Sequence, residues 1–215
     1  MDLERVDTKH AYKLIRERIT TLELEPGSVI NEQALAEGLE MGLAPVREAL
    51  KLLAHENLVI ITPRHGLYVA DVNVPDLEQL SEMRLTLEGL CARLAAQRAT
   101  ADEILILETL RQEQASTPAE DRRRLFDIDH KFHQAIAQAA HNKYLADSLE
   151  RLFGQSQRLW YLALPKLGFL PGAVEKHLDL VQAIENGDGD EAEAIMRGHV
   201  QEFYDNVREV LQNQL

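Results

Sequence analysis

Residues 24–69, LEPGSVINEQALAEGLEMGLAPVREALKLLAHENLVIITPRHGLYV, carry the signals that decide the fold of the N-terminal third of the chain. Asn31 is a favourable N-cap for a short helix that follows it. Pro45 fits the first turn of the next helix, where its missing N–H is not needed. That helix presents one apolar face, which is made of Val46, Ala49, Leu50 and Leu53. The pattern therefore predicts two helices in succession.

A hairpin is predicted after these helices. Two β-rich runs, 58–62 and 67–70, flank the turn-forming residues 63–66. An earlier helical pattern runs from Asp7 to about Leu22 and ends before a Pro-Gly turn signal. Three helices followed by a hairpin is the order of the winged helix-turn-helix fold. The N-terminal region is therefore expected to bind double-stranded DNA.

The DNA contacts are expected on the third helix and at the tip of the wing. Arg47 and Lys51 are one turn apart, on a face opposite the apolar one. In this fold the third helix lies in the major groove, so both side chains are predicted to contact DNA. The predicted contacts of the wing are Arg64, His65 and Gly66. Taken singly, each charge is an ordinary solvated side chain, and only the winged-helix pattern indicates a role in binding.

Residues 74–215 show only helical periodicity. The pattern is interrupted near Thr100, 116–118, 141–142, 165–172 and 186–189. About six helices in an antiparallel bundle follow from these breaks. The predicted fold is thus mainly α, with a winged helix-turn-helix domain at 1–73, an all-helical domain at 74–215 and a linker within 71–76.

Composition limits how the protein can contact DNA and in which compartment it is expected. The chain has 215 residues, 45% of them hydrophobic, and a formal net charge of −13, so DNA contact must be local rather than driven by a broad positive field. A single cysteine excludes an internal disulfide and suits a reducing compartment. No apolar run is long enough to span a membrane and no signal peptide opens the chain, so a cytoplasmic protein is expected.

Four side chains of the helical region point to a metal site. Asp129 and His133 lie one turn apart at the edge of an apolar stripe, where an ionised carboxylate is costly unless it is paired or bound to a metal. His177 and His199 also fall on inward-facing positions of their helices. One inward histidine is more often a hydrogen-bonded core residue than a ligand. Three histidines and an aspartate directed into one small bundle are harder to explain separately.

Three imidazoles and one carboxylate suit a divalent transition metal better than calcium or magnesium. Zinc is the ion most favoured by this donor set. Nickel or another borderline ion remains an alternative.

The stretch 24–69 also resembles the N-terminal domain of the GntR family of bacterial regulators. The matching residues are Pro26-Gly27, Leu35-Ala36, the run 45–50, Leu58-Val59, and Arg64 with Gly66. The resemblance implies an operator-binding regulator. Gly42 and Leu43 depart from the family, which usually has Ser or Thr followed by Arg at these DNA-contacting positions. Gly38 stands where many relatives carry a basic residue.

The helical region is similar to the FCD effector domain of the FadR subfamily. Two stretches carry the resemblance, DIDHKFHQAIAQAAHNKYL at 127–145 and EKHLDLVQAIENGDGDEAEAIMRGHV at 175–200. In relatives that have all four positions, the residues matching Asp129, His133, His177 and His199 hold a metal. The resemblance implies that a small carboxylate or related metabolite binds beside this metal and alters the spacing of the two winged helices.

The same resemblance suggests which residues contact the metabolite. Arg84 matches an arginine that often lines the pocket, and it is the expected partner of an acid. Arg158 is a second candidate, for which the alternative is an exposed helix arginine.

The main hypothesis is a homodimeric transcription regulator, a repressor or an activator, that responds to this metabolite, because operators of helix-turn-helix proteins are commonly palindromic. Two alternatives remain. The first is a metal sensor, in which the ion itself is the signal. The second is a metallohydrolase, which needs a general base near the metal, and the sequence has no H-E-x-x-H helix.

Overall fold

The computed structural model describes residues 2–73, 75–167 and 172–212. The chain divides into two compact units, of which the first combines Met1–Asn73 with Gly154–Leu162 and the second combines Val74–Phe153 with Ala163–Leu215. The elements are α1 (Asp2–Thr20), β1 (Val29–Ile30), α2 (Glu32–Gly38), α3 (Leu43–His55), β2 (Val59–Thr62), β3 (Gly66–Val69), α4 (Asp76–Arg98), α5 (Ala101–Ser116), α6 (Arg122–Ala139), α7 (Lys143–Leu167), α8 (Gly172–Glu185) and α9 (Gly189–Gln212).

The first unit is a winged helix, as predicted. Its core joins the apolar faces of α1 and α3 to the sheet, with Ile15, Ile19, Val46, Leu50 and Leu53 almost fully buried. Burial of these aliphatic side chains is the main stabilising contribution to such a small unit. The predicted N-cap is also present, because the side chain of Asn31 accepts hydrogen bonds from the backbone N–H groups of Gln33 and Ala34.

The wing is a three-stranded antiparallel sheet in the order β1-β3-β2. The hairpin predicted from the sequence is its β2-β3 pair, in which Thr62 lies opposite Gly66. Strand β1 was not predicted, because two residues are too few to show alternation. Val29 and Ile30 pair with Tyr68 and Leu67 on the other side of β3. The wing turn contains Arg64 and Gly66, both with positive φ, which tightens the turn and favours glycine at the second position.

Helix α7 also contributes to the first unit, through residues 154–162. A Cβ at Gly154 would lie 3.0 Å from Nη2 of Arg16, so a larger residue there would require the end of the Arg16 side chain to shift. Gln155 donates a hydrogen bond of 2.6 Å to the backbone carbonyl of Glu56. Residues 154–162 of α7 therefore form part of the packing of the winged helix.

The second unit contains α4 to α9 except for residues 154–162 of α7, so the described ranges bear out the prediction of about six helices. Thr100 forms a capping box with Glu103 at the start of α5, which explains the predicted break there. The break predicted at 165–172 overlaps residues 168–171, and the predicted linker includes Val74; these five residues lie outside the described ranges. Among the helices described, none is long and apolar enough to cross a membrane.

Candidate metal centre and nucleic-acid interface

Asp129, His133, His177 and His199 meet at one point in the second unit, and we refer to them as the four-residue cluster. One potential ligand atom from each residue lies within 4.8 Å of the corresponding atoms of the other three. The Nε2 atom of His199 is 3.1 Å from that of His133 and 3.3 Å from that of His177. The Asp129 carboxylate lies 3.5 Å from Nε2 of His177 and 3.9 Å from Nε2 of His133.

Three helices bring these residues together. Helix α6 places Asp129 and His133 one turn apart, beside the apolar residues of its own buried face. Helices α8 and α9 supply one histidine each. The ring of Phe132 stacks on the imidazole of His177 with 4.1 Å between centroids, which fixes the plane of that imidazole. The three histidines are buried and the Asp129 side chain is 18% exposed.

The geometry of the cluster fits a transition-metal ion. Two ligand atoms that each lie about 2.1 Å from a zinc ion are roughly 3.0 to 3.4 Å apart in octahedral or tetrahedral coordination. The separations of 3.1, 3.3 and 3.5 Å match this range or lie just above it, and only the 3.9 Å pair is clearly longer. Lone pairs of imidazoles that face each other at such distances repel unless a cation or a proton lies between them. The donor set therefore fits an ion such as zinc.

The pKa values of His177 and His199 also favour metal binding. Burial lowers the pKa of His177 well below its usual value, and the neighbouring His199 and His133 lower it further. Burial also lowers the pKa of His199, with His133 as the next contribution. Both imidazoles are therefore neutral at physiological pH, and only a neutral imidazole offers a lone pair to a metal.

Two buried polar residues behind the cluster were missed by the sequence analysis. Glu88 on α4 bonds through its carboxylate to Nδ1 of His133. Gln114 on α5 has its Oε1 atom 2.7 Å from Nδ1 of His177. Both side chains are at most 2% exposed. The sequence alone could not reveal these two residues, because their burial depends on which helices pack together.

Charge around Glu88 sets the state of His133. Burial by itself raises the pKa of Glu88, but Arg84 and His133 outweigh it and hold the pKa at about 2. Burial lowers the pKa of His133, but the Glu88 carboxylate outweighs this and the net pKa is raised. Burial raises the pKa of Asp129, although His133 and Arg84 oppose part of the rise. Glu88 thus makes His133 the most basic imidazole of the cluster.

Arg84 and Arg158, the two arginines predicted to contact a metabolite, occupy different environments. Arg84 is buried in the second unit, where its Nε donates to Glu88 and its guanidinium lies 4.4 Å above the ring centroid of Phe153. Arg158 lies in the first unit, where Nη2 donates to the backbone carbonyls of Ala70 and Asp71. The alternative of an exposed helix arginine is wrong for Arg158, which is 1% exposed.

Four of the five predicted DNA-binding residues line one cleft of the first unit. Arg47 and Lys51 of α3 and Arg64 and Gly66 of the wing all border a cavity of about 470 Å³ between helix and hairpin. His65 is exposed at the wing tip and is not part of the lining.

Each basic side chain of α3 is paired with a carboxylate. Nε of Arg47 lies 3.1 Å from Glu32, and Nζ of Lys51 lies 2.7 Å from Glu48. The Arg47 side chain is 53% exposed, so the guanidinium remains accessible from solvent.

Gly38 and Gly42 are the two glycines at which this chain departs from the family pattern, and neither is tightly enclosed. Gly42 is the N-cap of α3 and makes no side-chain capping bond. Gly38 ends α2, and a Cβ there would meet nothing within 4 Å. Neither position has a positive φ, so the backbone does not require glycine at either one.

Comparison with known proteins agrees with this architecture. The model of the family described as "Bacterial regulatory proteins, gntR family" matches residues 7–69, and the FCD domain model matches residues 79–202. The HTH-type transcriptional repressor RspR of Escherichia coli (strain K12) is 29% identical over 202 residues, which cover 94% of this chain and 89% of that protein. The Nta operon transcriptional regulator of Aminobacter aminovorans is 28% identical and covers 86% of this chain and 87% of its own length.

The fold is shared with solved structures. The structure of E. coli McbR/YncC has a TM-score of 0.82 at 20% identity and covers 94% of this chain and 97% of its own. The chain belongs to the GntR family of bacterial transcription regulators, in the group that carries an FCD effector domain. Like the relatives named above, it is a DNA-binding transcription regulator.

Proposed function

We propose that the protein is a transcriptional repressor whose operator affinity is controlled by a small organic acid bound to a divalent metal ion in the FCD domain. The observation that carries this proposal is the meeting of three imidazoles and one carboxylate within 4.8 Å. Zinc is the ion that the donor set favours, and nickel is the alternative.

The site can serve a ligand as well as a metal. An ion with four protein ligands in octahedral coordination keeps two positions for water or a carboxylate. When bound, the ion supplies a Lewis acid that attracts an anionic oxygen. Arg84, whose Nε donates to Glu88, is also close enough to Asp129 to oppose part of the rise that burial causes in the pKa of that carboxyl, and together with a bound ion it would attract an anionic ligand. Arg158 is bonded to the backbone within the first unit, and we assign it no contact with the metabolite.

For the operator, we infer contacts from the cleft between α3 and the wing. Arg47 and Lys51 would exchange their carboxylate partners for base edges or phosphates, with Arg64, His65 and Gly66 at the wing. An arginine that binds a guanine through two hydrogen bonds contributes about 1–3 kcal/mol of discrimination. A homodimer with two such cleft surfaces would match a palindromic operator.

We also propose that residues 1–73 bind DNA and that residues 74–215 bind the metal and the effector. Coupling between the two requires that the acid bind more tightly to one dimer arrangement than to the other. Couplings of this kind are typically ~1–3 kcal/mol, which is a change of about 5- to 150-fold in operator affinity.

The test combines metal analysis of the purified protein with a thermal-shift screen of small organic acids, on wild type and His177→Ala. His141→Ala is the control, because this histidine is largely exposed and lies outside the cluster. We expect one divalent ion per chain in wild type and in the control, and loss of the ion and of the acid response in His177→Ala. A His177→Ala protein that kept its metal and its acid response would disprove the proposal. Operator affinity that followed free metal with no acid present would indicate a metal sensor instead.

A further inference from the structure

Two histidines of the four-residue cluster have a second nitrogen, Nδ1, that faces a buried polar side chain from another helix. Nδ1 of His133 is bonded to the Glu88 carboxylate, and Nδ1 of His177 lies 2.7 Å from the amide oxygen of Gln114. Both partners come from helices other than those that carry the cluster, α4 and α5. The two contacts are buried, so water does not compete with them.

Each contact determines where the imidazole carries its hydrogen. A carboxylate or amide oxygen accepts hydrogen bonds, so the nitrogen that faces it must be an N–H. A neutral imidazole has a single N–H, and its other nitrogen then presents a lone pair. When both rings are neutral and carry their hydrogen on Nδ1, the lone pairs of both Nε2 atoms are directed at Asp129 and His199.

We propose that Glu88 and Gln114 are positioning residues that select the Nδ1-protonated tautomer of His133 and of His177, and so present both Nε2 atoms to one metal ion. This inference rests on the proposed function, because it assumes that the cluster binds a metal. It assigns these two side chains a role in metal affinity without direct contact with the ion. Outer partners of this kind commonly change metal affinity by about 10- to 100-fold.

Gln114 allows the more specific test, because a side-chain amide can face Nδ1 of His177 through its oxygen or through its NH₂ group. Within the described residues, its Nε2 atom is buried and has no hydrogen-bond partner. In the structure its Oε1 atom, and not its Nε2 atom, faces Nδ1 of His177. With the amide reversed, its NH₂ would donate to Nδ1, and the hydrogen of His177 would move to Nε2, where it would block a metal. The observed orientation is the one compatible with an ion.

The two partners also differ in charge. Glu88 is ionised and held by Arg84, so His133 receives a charge-assisted hydrogen bond. His177 receives a neutral one from Gln114. Replacing the amide by a carboxylate should therefore strengthen His177 as a ligand, and replacing it by an isosteric apolar group should weaken it.

The experiment measures zinc affinity by competition with a chromophoric chelator, on full-length wild type, Gln114→Leu and Gln114→Glu. Gln112→Leu is the matched control, because it makes the same change at an exposed position of the same helix. We expect Gln114→Leu to bind zinc roughly 10- to 100-fold more weakly than wild type. We expect Gln114→Glu to bind it at least as tightly as wild type, and Gln112→Leu to be unchanged. Equal weakening in both Gln114 variants would indicate a packing role and overturn the inference, as would unchanged affinity in both.

A second measurement does not depend on zinc. Nitrogen NMR of the imidazoles in metal-free protein distinguishes the two tautomers, and the spectrum of His177→Gln assigns the signal. We expect His177 to be protonated at Nδ1 in wild type, and Gln114→Leu to shift it toward Nε2. Protonation at Nε2 in wild type would overturn the inference even if zinc bound. Wild type that bound no zinc would instead remove the proposed function.

Discussion

The Nε2 atoms of His133 and His199 lie 3.1 Å apart, although 66 positions separate the two residues in the sequence. Helices α6 and α9 therefore hold two ring nitrogens within hydrogen-bonding distance, and the tautomer of each ring decides which of them donates. When both nitrogens present a lone pair, the two lone pairs repel each other unless a positive charge lies between them.

Removal of the metal should lower the thermal stability of the protein. A ligand that binds only the folded state at 100 times its Kd stabilises it by about 2.7 kcal/mol. We expect a strong chelator to lower the Tm of wild type, and added zinc to restore it, in differential scanning calorimetry. His199→Ala should show the same Tm with and without the chelator. A chelator effect of equal size in that variant would mean that the metal binds elsewhere.

Glu88→Ala should destabilise the protein far more than loss of a surface carboxylate. The substitution leaves the buried guanidinium of Arg84 without its ionic partner, which costs about 3–5 kcal/mol in comparable buried pairs. Glu113→Ala is the comparison, since it breaks a partly exposed pair with Arg124 and should cost at most about 1 kcal/mol. Urea unfolding followed by circular dichroism gives both values. Equal effects would show that burial of the Arg84–Glu88 pair has no energetic importance.

Arg47→Ala should weaken operator binding by about 1–3 kcal/mol if the guanidinium makes two bonds to a base. Fluorescence anisotropy with operator DNA at fixed salt measures the change. Lys13→Ala removes an exposed positive charge that does not line the cleft, and it should have little effect. An unchanged affinity in Arg47→Ala would remove α3 from the proposed interface.

Gly38→Lys should increase both stability and affinity for DNA of any sequence. The position is open, and a lysine gains roughly 0.5 kcal/mol of helix stability over glycine. The added charge should make binding fall more steeply as salt rises, because one more phosphate contact releases one more counterion. Gly38→Glu separates the two effects, since it should gain stability while losing DNA affinity. If the lysine and glutamate variants bound DNA alike, Gly38 would lie away from the duplex.

The elements with long periodic patterns could be predicted from the sequence. The apolar face of α3 and the capping residue Asn31 were sufficient to place the second and third helices. The inward positions of Asp129 and His133 followed from the apolar stripe of α6. These predictions succeeded because helical periodicity reports which side of a helix is buried.

Contacts between elements could not be predicted in the same way. Glu88 and Gln114 depend on which helices pack against α6 and α8, and one helix's pattern does not contain that information. Strand β1 has only two residues, and pairing with β3 defines it rather than its own composition. For Arg158, the sequence offered only an exposed position or an effector contact, whereas its partners are the carbonyls of Ala70 and Asp71.

Residues 154–162 of α7 pack in the winged-helix unit, and this has a consequence for folding during synthesis. Gln155 and Arg158 bond to the carbonyls of Glu56, Ala70 and Asp71, yet the ribosome adds these two residues more than eighty positions after Asp71. At typical synthesis rates this interval lasts several seconds. Until α7 emerges, the N-terminal region of a nascent chain therefore lacks the contacts that Gln155 and Arg158 make. A chain that ended before α7 would lack this part of the packing of its DNA-binding unit.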